Sequence, residues 1–600
     1  MPFPHFTFAT LRLRVPAVLA VLVFLLPVRA HADNITPLQL STLRYAVSEL
    51  IRKEMKDKDI EALSIALVED QQVLWSEGFG VRDSARGTPA KADTLYAVGG
   101  LSQLLTATAV MQLAERGTLD LDQPLTRYLP EFSIRSRFLK APPITPRLLL
   151  AHRSGLPGMH FKSMWTPNPE PLASFVASLK NEYTAYPPGQ IFTPSFPGYD
   201  VLGRIVETQC RKPFATCLQE QVLTPLGMKH STFDILHADP TRFATHYWNN
   251  KPYATQAVRD IPAAGLASSV NDLARYVQMV FAGGKLDGRQ VLSPRSVAEM
   301  LRVQNDRAPL DLDNHVGMPW RLAGVRFPQA RTVAWLNNDS PFSRGRVMIV
   351  PEHKLGVIVL TNCAGSTESM EKISERLMEL ALQTGKRAAP ESRPTSLIAA
   401  APLKRDDFSG QYATILGLIT VKPVANRYRA LMIGKTIELM PQPTGLYAPE
   451  YRFLGLIPIP LSVLKEVRVT SATIDGRAFA IAYYRNQAYR LGEKISTHTL
   501  SDAWRRRLGD YRAADRDPLL DLVELHNVTL AYSDDLLYLR YRVKGWLGIV
   551  ANIPVRPVSD TELVVDGTGW LMGETISVVQ RDGAEALRYS GYEFRKLRKP

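Results

Sequence analysis

The 600-residue chain has little cysteine. Its three cysteines, Cys210, Cys217 and Cys363, form no paired C-x-x-C pattern and accompany no histidine cluster, so the sequence predicts no disulfide framework, no metal site and no cofactor. One disulfide, between Cys210 and Cys217, stays open. In a continuous helix these residues would lie about 10 Å apart, too far to bridge, but Pro213 permits a bend; buried free thiols are the alternative.

Long hydrophobic runs are scarce as well. The apolar run over residues 16–28 follows Arg12 and Arg14 and precedes the small-residue ending Ala-His-Ala at 30–32. This layout predicts a signal peptide over residues 1–32, a mature chain from about Asp33, and a periplasmic or secreted location. A retained anchor is the alternative. No later run approaches spanning length, so we expect no integral membrane span after cleavage.

Acidic residues are fewer than basic ones, and the formal net charge is +14. An excess of positive charge favours weak attraction to anionic envelope surfaces. Nucleic acid is the usual partner of a basic chain, but export would remove that opportunity and the sequence contains no basic and aromatic recognition motif. We therefore predict no nucleic-acid partner.

Residues 33–384 mix helical and strand patterns. An amphipathic helix is predicted through LRYAVSELIRKEM, strands through ALSIALVED and QVLWSEGFG, and a helix from Leu104 to Arg116, closed by Gly117. Near the end of this block the apolar stretches RVMIVP and LGVIVLTN, joined by EHK, predict an antiparallel hairpin. The block is therefore predicted to be one α+β domain.

The pattern changes after this block. Residues 385–402 are rich in Pro, Ala and Ser, as in an interdomain linker. Residues 403–497 and 498–600 share an outline: each has Gly-x-Tyr near its start (GQY at Gly410, GDY at Gly509), followed by short strands. We predict two small related all-β domains, each a barrel or a sandwich.

Five stretches of the first block carry a family resemblance: TLYAVGGLSQLLTATAVMQLAERGTLDLDQPLTRYLPEF, LLLAHRSGLPG, PPGQIFTPSFPGYDVLGRIVE, LTPLGMKHSTF with AAGLASSVNDLARYVQMV, and GVIVLTN. In order and spacing they resemble the serine β-lactamase and penicillin-binding-protein-like family, in its class C, esterase and D-aminopeptidase branch. The resemblance implies an antiparallel sheet flanked by helices. It also implies acyl transfer by a serine, a lysine three residues later, a Tyr-x-Asn loop and a Lys/His-x-Gly strand.

The reactive positions of that pattern are replaced in this chain. The serine position falls on Gly100, which has no nucleophile, and the lysine position falls on Gln103, whose amide does not titrate. The other replaced positions are Pro194 and Phe196 for tyrosine and asparagine, and Leu336, Asn337 and Asn338 for Lys/His-x-Gly. Bulky Asn338 is expected to narrow the substrate edge.

Two serines are candidate substitute nucleophiles. Ser102 is turned about 200 degrees from Gly100 along the helix and lacks a lysine three residues later, which favours a structural role. Ser195 lies in a loop that should face the cleft, but no base is visible beside it. His160 and His353 are isolated and are predicted to be solvated loop residues.

These substitutions favour an exported pseudoenzyme whose cleft is kept as a binding site in the cell envelope, for a peptide, a cell-wall fragment or an envelope protein. The alternative is a serine hydrolase of the D-aminopeptidase, esterase or β-lactamase type with a non-standard nucleophile. A structural envelope protein without a pocket function is a third interpretation, because a fold alone does not determine function.

Overall fold

The structure, a computed structural model, describes residues 34–166, 168–248, 251–253, 257–384, 408–453, 457–459, 464, 466–485, 487–515, 517, 520, 525–542 and 550–597. The predicted signal peptide (1–32) and linker (385–402) lie outside these residues. Within the described part of the chain, no helix is long and apolar enough to cross a membrane.

A six-stranded antiparallel sheet organises the first domain, in the strand order β10-β11-β12-β1-β2-β3. The domain's strands are β1 (Ala62–Glu69), β2 (Gln72–Asp83), β3 (Thr88–Pro89), β4 (Tyr96–Ala97), β5 (His246–Trp248), β6 (Lys251–Tyr253), β7 (Ala267–Ser268), β8 (Lys285–Leu286), β9 (Arg289–Gln290), β10 (Ala334–Asp339), β11 (Arg344–Val350) and β12 (Leu355–Thr361). The predicted hairpin is confirmed, since β11 and β12 pair antiparallel with Val347 opposite Ile358. Because β10 is an edge strand, its outer side pairs with no other strand of this sheet and can contact other elements.

Helices cover both faces of this sheet. They are α1 (Pro37–Asp57), α2 (Ser102–Glu115), α3 (Pro146–Leu150), α4 (Leu172–Ser178), α5 (Phe196–Cys210), α6 (Phe214–Leu218), α7 (Thr224–Leu226), α8 (Ile261–Ala264), α9 (Val270–Phe281), α10 (Pro294–Leu301) and α11 (Thr367–Thr384). Strand β1 is buried along its whole length. Its Ile65 packs with α1 and α11, and its Ala66 packs in the core formed with α2, α5 and α9. Burial on both faces explains the continuous apolar sequence ALSIALVE.

The rest of the described chain forms two all-antiparallel barrels, which confirms the predicted α+β domain with two small β-domains. The first barrel contains β13 (Gly410–Thr414), β14 (Gly417–Val424), β15 (Arg427–Met432), β16 (Lys435–Pro441), β17 (Tyr447–Phe453), β18 (Ile457–Ile459), β19 (Val467–Ile474), β20 (Arg477–Tyr484) and β21 (Gln487–Ile495). Pairing of β16 with β17 closes a ring of eight strands, to which β18 is added.

The second barrel follows a short helix, α12 (Asp502–Arg507). Its strands are β22 (Gly509–Ala513), β23 (Asn527–Ser533), β24 (Leu536–Arg542), β25 (Val550–Pro557), β26 (Glu562–Val565), β27 (Thr575–Arg581), β28 (Ala584–Tyr589) and β29 (Tyr592–Lys596). Pairing of β22 with β29 closes the ring. Full closure leaves no open sheet edge in a barrel of this kind.

The two alternatives for the cysteines are resolved by a disulfide between Cys210 and Cys217, with Cα atoms 6.3 Å apart. Helix α5 ends at Cys210, and Arg211 caps it in the left-handed conformation at φ 57°. Pro213 then begins the turn into α6, so the chain bends as the disulfide requires. Cys363 is a free thiol.

Candidate functional site

The position matched to the family serine lies just before α2, against the edge strand β10. A Cβ placed on Gly99 would lie 2.0 Å from Oδ1 of Asn338, and a Cβ placed on Gly100 would lie 3.0 Å from the carbonyl oxygen of Asn337. The φ of Gly99 is +42°, which also favours glycine. A side chain at Gly99 would therefore force Asn338 aside, and one at Gly100 would press against the backbone of β10.

Asn338 connects β10 to the strand that precedes α2. Its Nδ2 donates to Ser343 Oγ at 2.9 Å and to the carbonyl oxygen of Ala97 at 3.2 Å, and its Oδ1 accepts from the Ser340 amide at 3.0 Å. Leu336, on the same face of β10, is part of the apolar core around α2. Asn337 points to the opposite face, where its Nδ2 lies 3.4 Å from a carboxylate oxygen of α11.

We expect Asn338→Ala to lower the free energy of unfolding by about 1–3 kcal/mol, because it removes the hydrogen bonds of a buried side chain and leaves the half-buried Ser340 amide without its acceptor. Its neighbour Asn337 is half-buried and makes a single long hydrogen bond, so Asn337→Ala is the matched control, with an expected change within about 0.5 kcal/mol. Urea unfolding of the two variants and the parent protein measures both changes. Equal losses in the two variants would contradict this account of Asn338.

Gln103, matched to the family lysine, is bound to a neutral histidine. Its Oε1 lies 2.9 Å from Nε2 of His152. Since Nδ1 of His152 accepts from the Ser195 amide at 3.1 Å, the ring proton is on Nε2 and is donated to Gln103. Burial, and then the nearby Arg321, lower the pKa of His152 to about 3. The position therefore carries no charge and no proton acceptor of the lysine type.

The hydroxyl groups of both candidate nucleophiles are engaged in structural hydrogen bonds. Ser102 Oγ donates to the Gly99 carbonyl at 2.5 Å and accepts from the Leu266 amide at 2.9 Å. Ser195 Oγ donates to the Pro157 carbonyl at 2.6 Å and accepts from the Gly198 amide at 3.1 Å, as the N-cap of α5. Each side chain is buried, so each hydroxyl has a local partner in place of a base.

An apolar cluster lies on the side of the cleft where the Tyr-x-Asn loop is expected. Phe196 packs there and remains half-buried, as does the neighbouring Pro194. The buried members of this cluster are Met159, Met164, Trp165, Val258 and Phe342. The ring of Phe342 meets that of Trp165 edge to face, with centroids 5.7 Å apart. The surroundings of Phe196, the residue aligned with the family's asparagine, are therefore apolar.

A loop of the second barrel, residues 566–574, also packs against this cluster through Leu571. Oε1 of Glu574 accepts from the Gly158 amide at 2.9 Å, and the Gly569 amide donates to the hydroxyl of Tyr186 at 3.0 Å. A Cβ on Gly573 would lie 2.6 Å from the carbonyl oxygen of Ala185, so this close approach requires glycine. The second barrel thus packs directly against this apolar cluster.

The sequence did not indicate this loop or the part played by His152. The prediction that His160 is solvated is wrong: its ring packs edge to face on Phe175 at 5.5 Å, and burial, with Arg259 beside it, lowers its pKa to about 3. His353 Nε2 bonds to the Gln329 carbonyl at 2.8 Å. Within the described residues, no three His, Cys, Asp or Glu side chains are grouped so that they could hold a metal ion.

Comparisons with known proteins give one family. A family model described as Beta-lactamase matches residues 47–382. Esterase EstB of Burkholderia gladioli is 28% identical over 227 residues, which are 36% of this chain and 57% of EstB. Protein flp of Staphylococcus aureus strain MW2 is 22% identical over 340 residues, which are 55% of this chain and 65% of flp. The matched region thus spans less than two thirds of either relative.

The solved structures agree on the fold. The crystal structure of SurE superposes with a TM-score of 0.53 at 20% identity, and the match covers 76% of this chain and all of SurE. At this identity the likeness concerns the fold alone.

Proposed function

Because the chain belongs to the beta-lactamase family, whose chemistry needs a serine and a proton acceptor at defined positions, we propose that this protein is a non-catalytic member. It uses what remains of the cleft to bind a ligand or a partner without cleaving it. This function is proposed for the whole chain, including the two barrels.

The observation that carries this proposal is the contact between the start of α2 and β10. Gly100 has no side chain, and a Cβ there would already lie 3.0 Å from the Asn337 carbonyl oxygen. Gln103, where a base is needed, accepts a hydrogen bond from neutral His152. Acyl transfer slows by several orders of magnitude when the nucleophile and its base are removed, so these two positions weigh against turnover.

A binding role fits the part of the cleft that stays accessible. Gly100, Pro194 and Phe196 are half-buried, and Gly100 lies beside the N-terminal end of α2. The positive end of a helix attracts carbonyl or anionic groups, and the neighbouring Phe196 attracts apolar ones. A peptide, a cell-wall fragment or an envelope protein presents both kinds of group. Export to the envelope rests on the predicted signal peptide over residues 1–32.

The alternative is a hydrolase with a non-standard nucleophile, and the similarity to Esterase EstB favours it. It would require Ser195 to exchange its bonds to Pro157 and Gly198 for a base, or Ser102 to turn away from Gly99 and Leu266. Each change would break two hydrogen bonds of a buried hydroxyl, at a cost of about 1–3 kcal/mol for each group left unpaired.

We expect no covalent adduct on the folded full chain after incubation with a penicillin or with a fluorophosphonate that captures activated serines. Intact-mass spectrometry measures this, with an active serine esterase in the same tube to show that the probes react. Ser195→Ala and Ser102→Ala are the matched variants. A stoichiometric adduct on the parent protein that one of them abolishes would overturn the proposal and identify the nucleophile.

A further inference from the structure

A segment of the first domain, residues 157–163, lies against the second barrel and donates backbone hydrogen bonds to it. The Lys162 amide donates to the carbonyl oxygen of Ser590 at 3.2 Å. The Ser163 amide donates to Oδ2 of Asp517 at 2.8 Å. We call residues 157–163 the docking segment, because their amides hold the barrel.

The carboxyl group of Glu574 makes a further contact between the barrel and this segment. Its Oε1 accepts from the Gly158 amide at 2.9 Å, and the hydroxyl of Tyr589 is hydrogen-bonded to the same carboxyl. Glu574 is 4% exposed. Glu574 and Tyr589 line one cavity together with His160 and Glu182 of the first domain. The carboxyl is therefore enclosed between the two domains.

Glu574 differs from the neighbouring acids of this interface in having no cation. Asp515 pairs with Lys162 at 2.8 Å, and Glu562 pairs with Arg137 at 2.8 Å. Among the described residues, no basic side chain acts on Glu574. A buried carboxylate without a cation is unfavourable, whereas a protonated carboxyl group has no charge to compensate.

The groups around Glu574 offer its charge no compensation. The titratable side chains that face it are His160, Glu182, Tyr183, Tyr186 and Tyr589. Burial, and then nearby Arg259, lower the pKa of His160 to about 3, so its ring is neutral. Tyrosine hydroxyls carry no charge near neutral pH. Glu182, which Arg135 and Arg588 face, adds negative charge that opposes ionisation of Glu574.

We propose that Glu574 is a proton-controlled contact between the second barrel and the first domain. While the carboxyl is protonated, the barrel stays docked on residues 157–163; its ionisation favours local release of the two surfaces without unfolding of either domain. The Gly158 carbonyl accepts from the Phe196 amide at 2.9 Å, so release also loosens the surroundings of Phe196. This contact does not depend on the binding role proposed above.

The direction of the pH dependence follows from where the proton is held more tightly. Burial raises the pKa of Glu574 to about 7 from an ordinary value of 4.5. Docking is therefore strongest below pH 4.5, weakens as the pH rises and levels off above about pH 7. With these two values, the ratio of released to docked molecules should rise roughly fiftyfold between pH 5 and pH 8.

The test is hydrogen exchange of the full chain, measured by mass spectrometry on peptides that contain the docking segment. The parent protein and Glu574→Gln are compared at the same pH, so that the pH dependence of the chemical exchange step cancels. We expect the opening constant of the parent, divided by that of Glu574→Gln, to rise roughly fiftyfold between pH 5 and pH 8. A ratio that stays constant would overturn the proposal.

Two controls show whether the effect is specific and local. Glu585→Gln removes a carboxyl of the same barrel that pairs with Arg507 at 2.8 Å, and it should follow the parent protein at every pH from 5 to 8. Amides of β1, which is buried along its whole length, should exchange more slowly than those of the docking segment. Equal opening constants in β1 and the docking segment would mean global unfolding and would contradict local release.

A second variant, Tyr589→Phe, should move the pH at which release levels off. The hydrogen bond from Tyr589 lowers the pKa of Glu574, so its loss should raise that pKa. The opening constant should then level off at a higher pH than in the parent protein. Weaker protection of the docking segment at every pH, with no shift of this point, would show that Glu574 does not control release.

Discussion

Replacing Gln103 by lysine, the residue that the family chemistry uses there, is expected to lower the free energy of unfolding by about 3–5 kcal/mol at neutral pH. Gln103 is 3% exposed and accepts the Nε2 proton of His152. A lysine would lose that hydrogen bond and bury a positive charge near Arg321, which already lowers the pKa of His152. Urea unfolding measures the loss.

Gln103→Met has a side chain of similar length without a charge, so comparing it with the lysine variant isolates the cost of the buried charge. For Gln103→Met we expect the free energy of unfolding to fall by about 1–2 kcal/mol, because the His152 donor is left unpaired. Relative to Gln103→Met, the stability of the lysine variant should change with pH. Burial lowers the pKa of a lysine, so its unfolded state binds more protons, and stability should rise toward that of Gln103→Met as the pH approaches about 10.4. Equal stabilities of the two variants at neutral pH would contradict the expected cost of charge.

Replacing Glu574 by glutamine is expected to stabilise the protein by about 3 kcal/mol at pH 8 and to change little at pH 4. Burial of this carboxyl between the second barrel and the first domain raises its pKa to about 7 from an ordinary value of 4.5. Its hydrogen bonds to Gly158 and Tyr589 oppose that rise without cancelling it. Glutamine can keep the bond to the Gly158 amide and carries no charge at any pH.

The direction of this pH dependence follows from the proton that Glu574 binds. Because the folded state holds the Glu574 proton more tightly, the stabilising contribution is full below pH 4.5 and is lost as the pH rises through about 7. The difference in unfolding free energy between Glu574→Gln and the parent protein should therefore grow from near zero at pH 4 to about 3 kcal/mol at pH 8. Glu585→Gln is the control: the ion pair with Arg507 lowers the pKa of Glu585, so this variant should retain the parent slope between pH 5 and 8. A difference between Glu574→Gln and the parent protein that does not change with pH would refute this assignment.

The positions that the sequence aligns with the family's reactive groups lie in three elements that are far apart in the chain. Gly100 lies before α2, Phe196 begins α5, and Asn338 lies in β10. Restoring serine and lysine at 100 and 103 would leave Asn338 against Gly99 and Phe196 in the apolar cluster. The proposed lack of turnover therefore rests on the packing around these positions as well as on the residues at 100 and 103.

The sequence by itself determined the elements whose patterns are local. The apolar runs of β11 and β12 with a short turn between them predict the hairpin, because strands adjacent in the chain pair readily. The family itself is now identified by its model, whereas the alignment of residues 100, 103, 194 and 196 with its reactive positions stays a prediction from the sequence. Pro213 made the Cys210–Cys217 disulfide possible but did not decide it.

Only the tertiary structure decided what surrounds those positions. The contact of Gly158 with Glu574 joins residues 416 positions apart, and the contact of Arg153 with Asp311 depends on how two loops pack. No periodicity or spacing encodes such contacts, because they form only when irregular loops that are distant in the chain pack together. The neutral state of His152 also depends on the tertiary structure, since it follows from burial by residues distant in the chain.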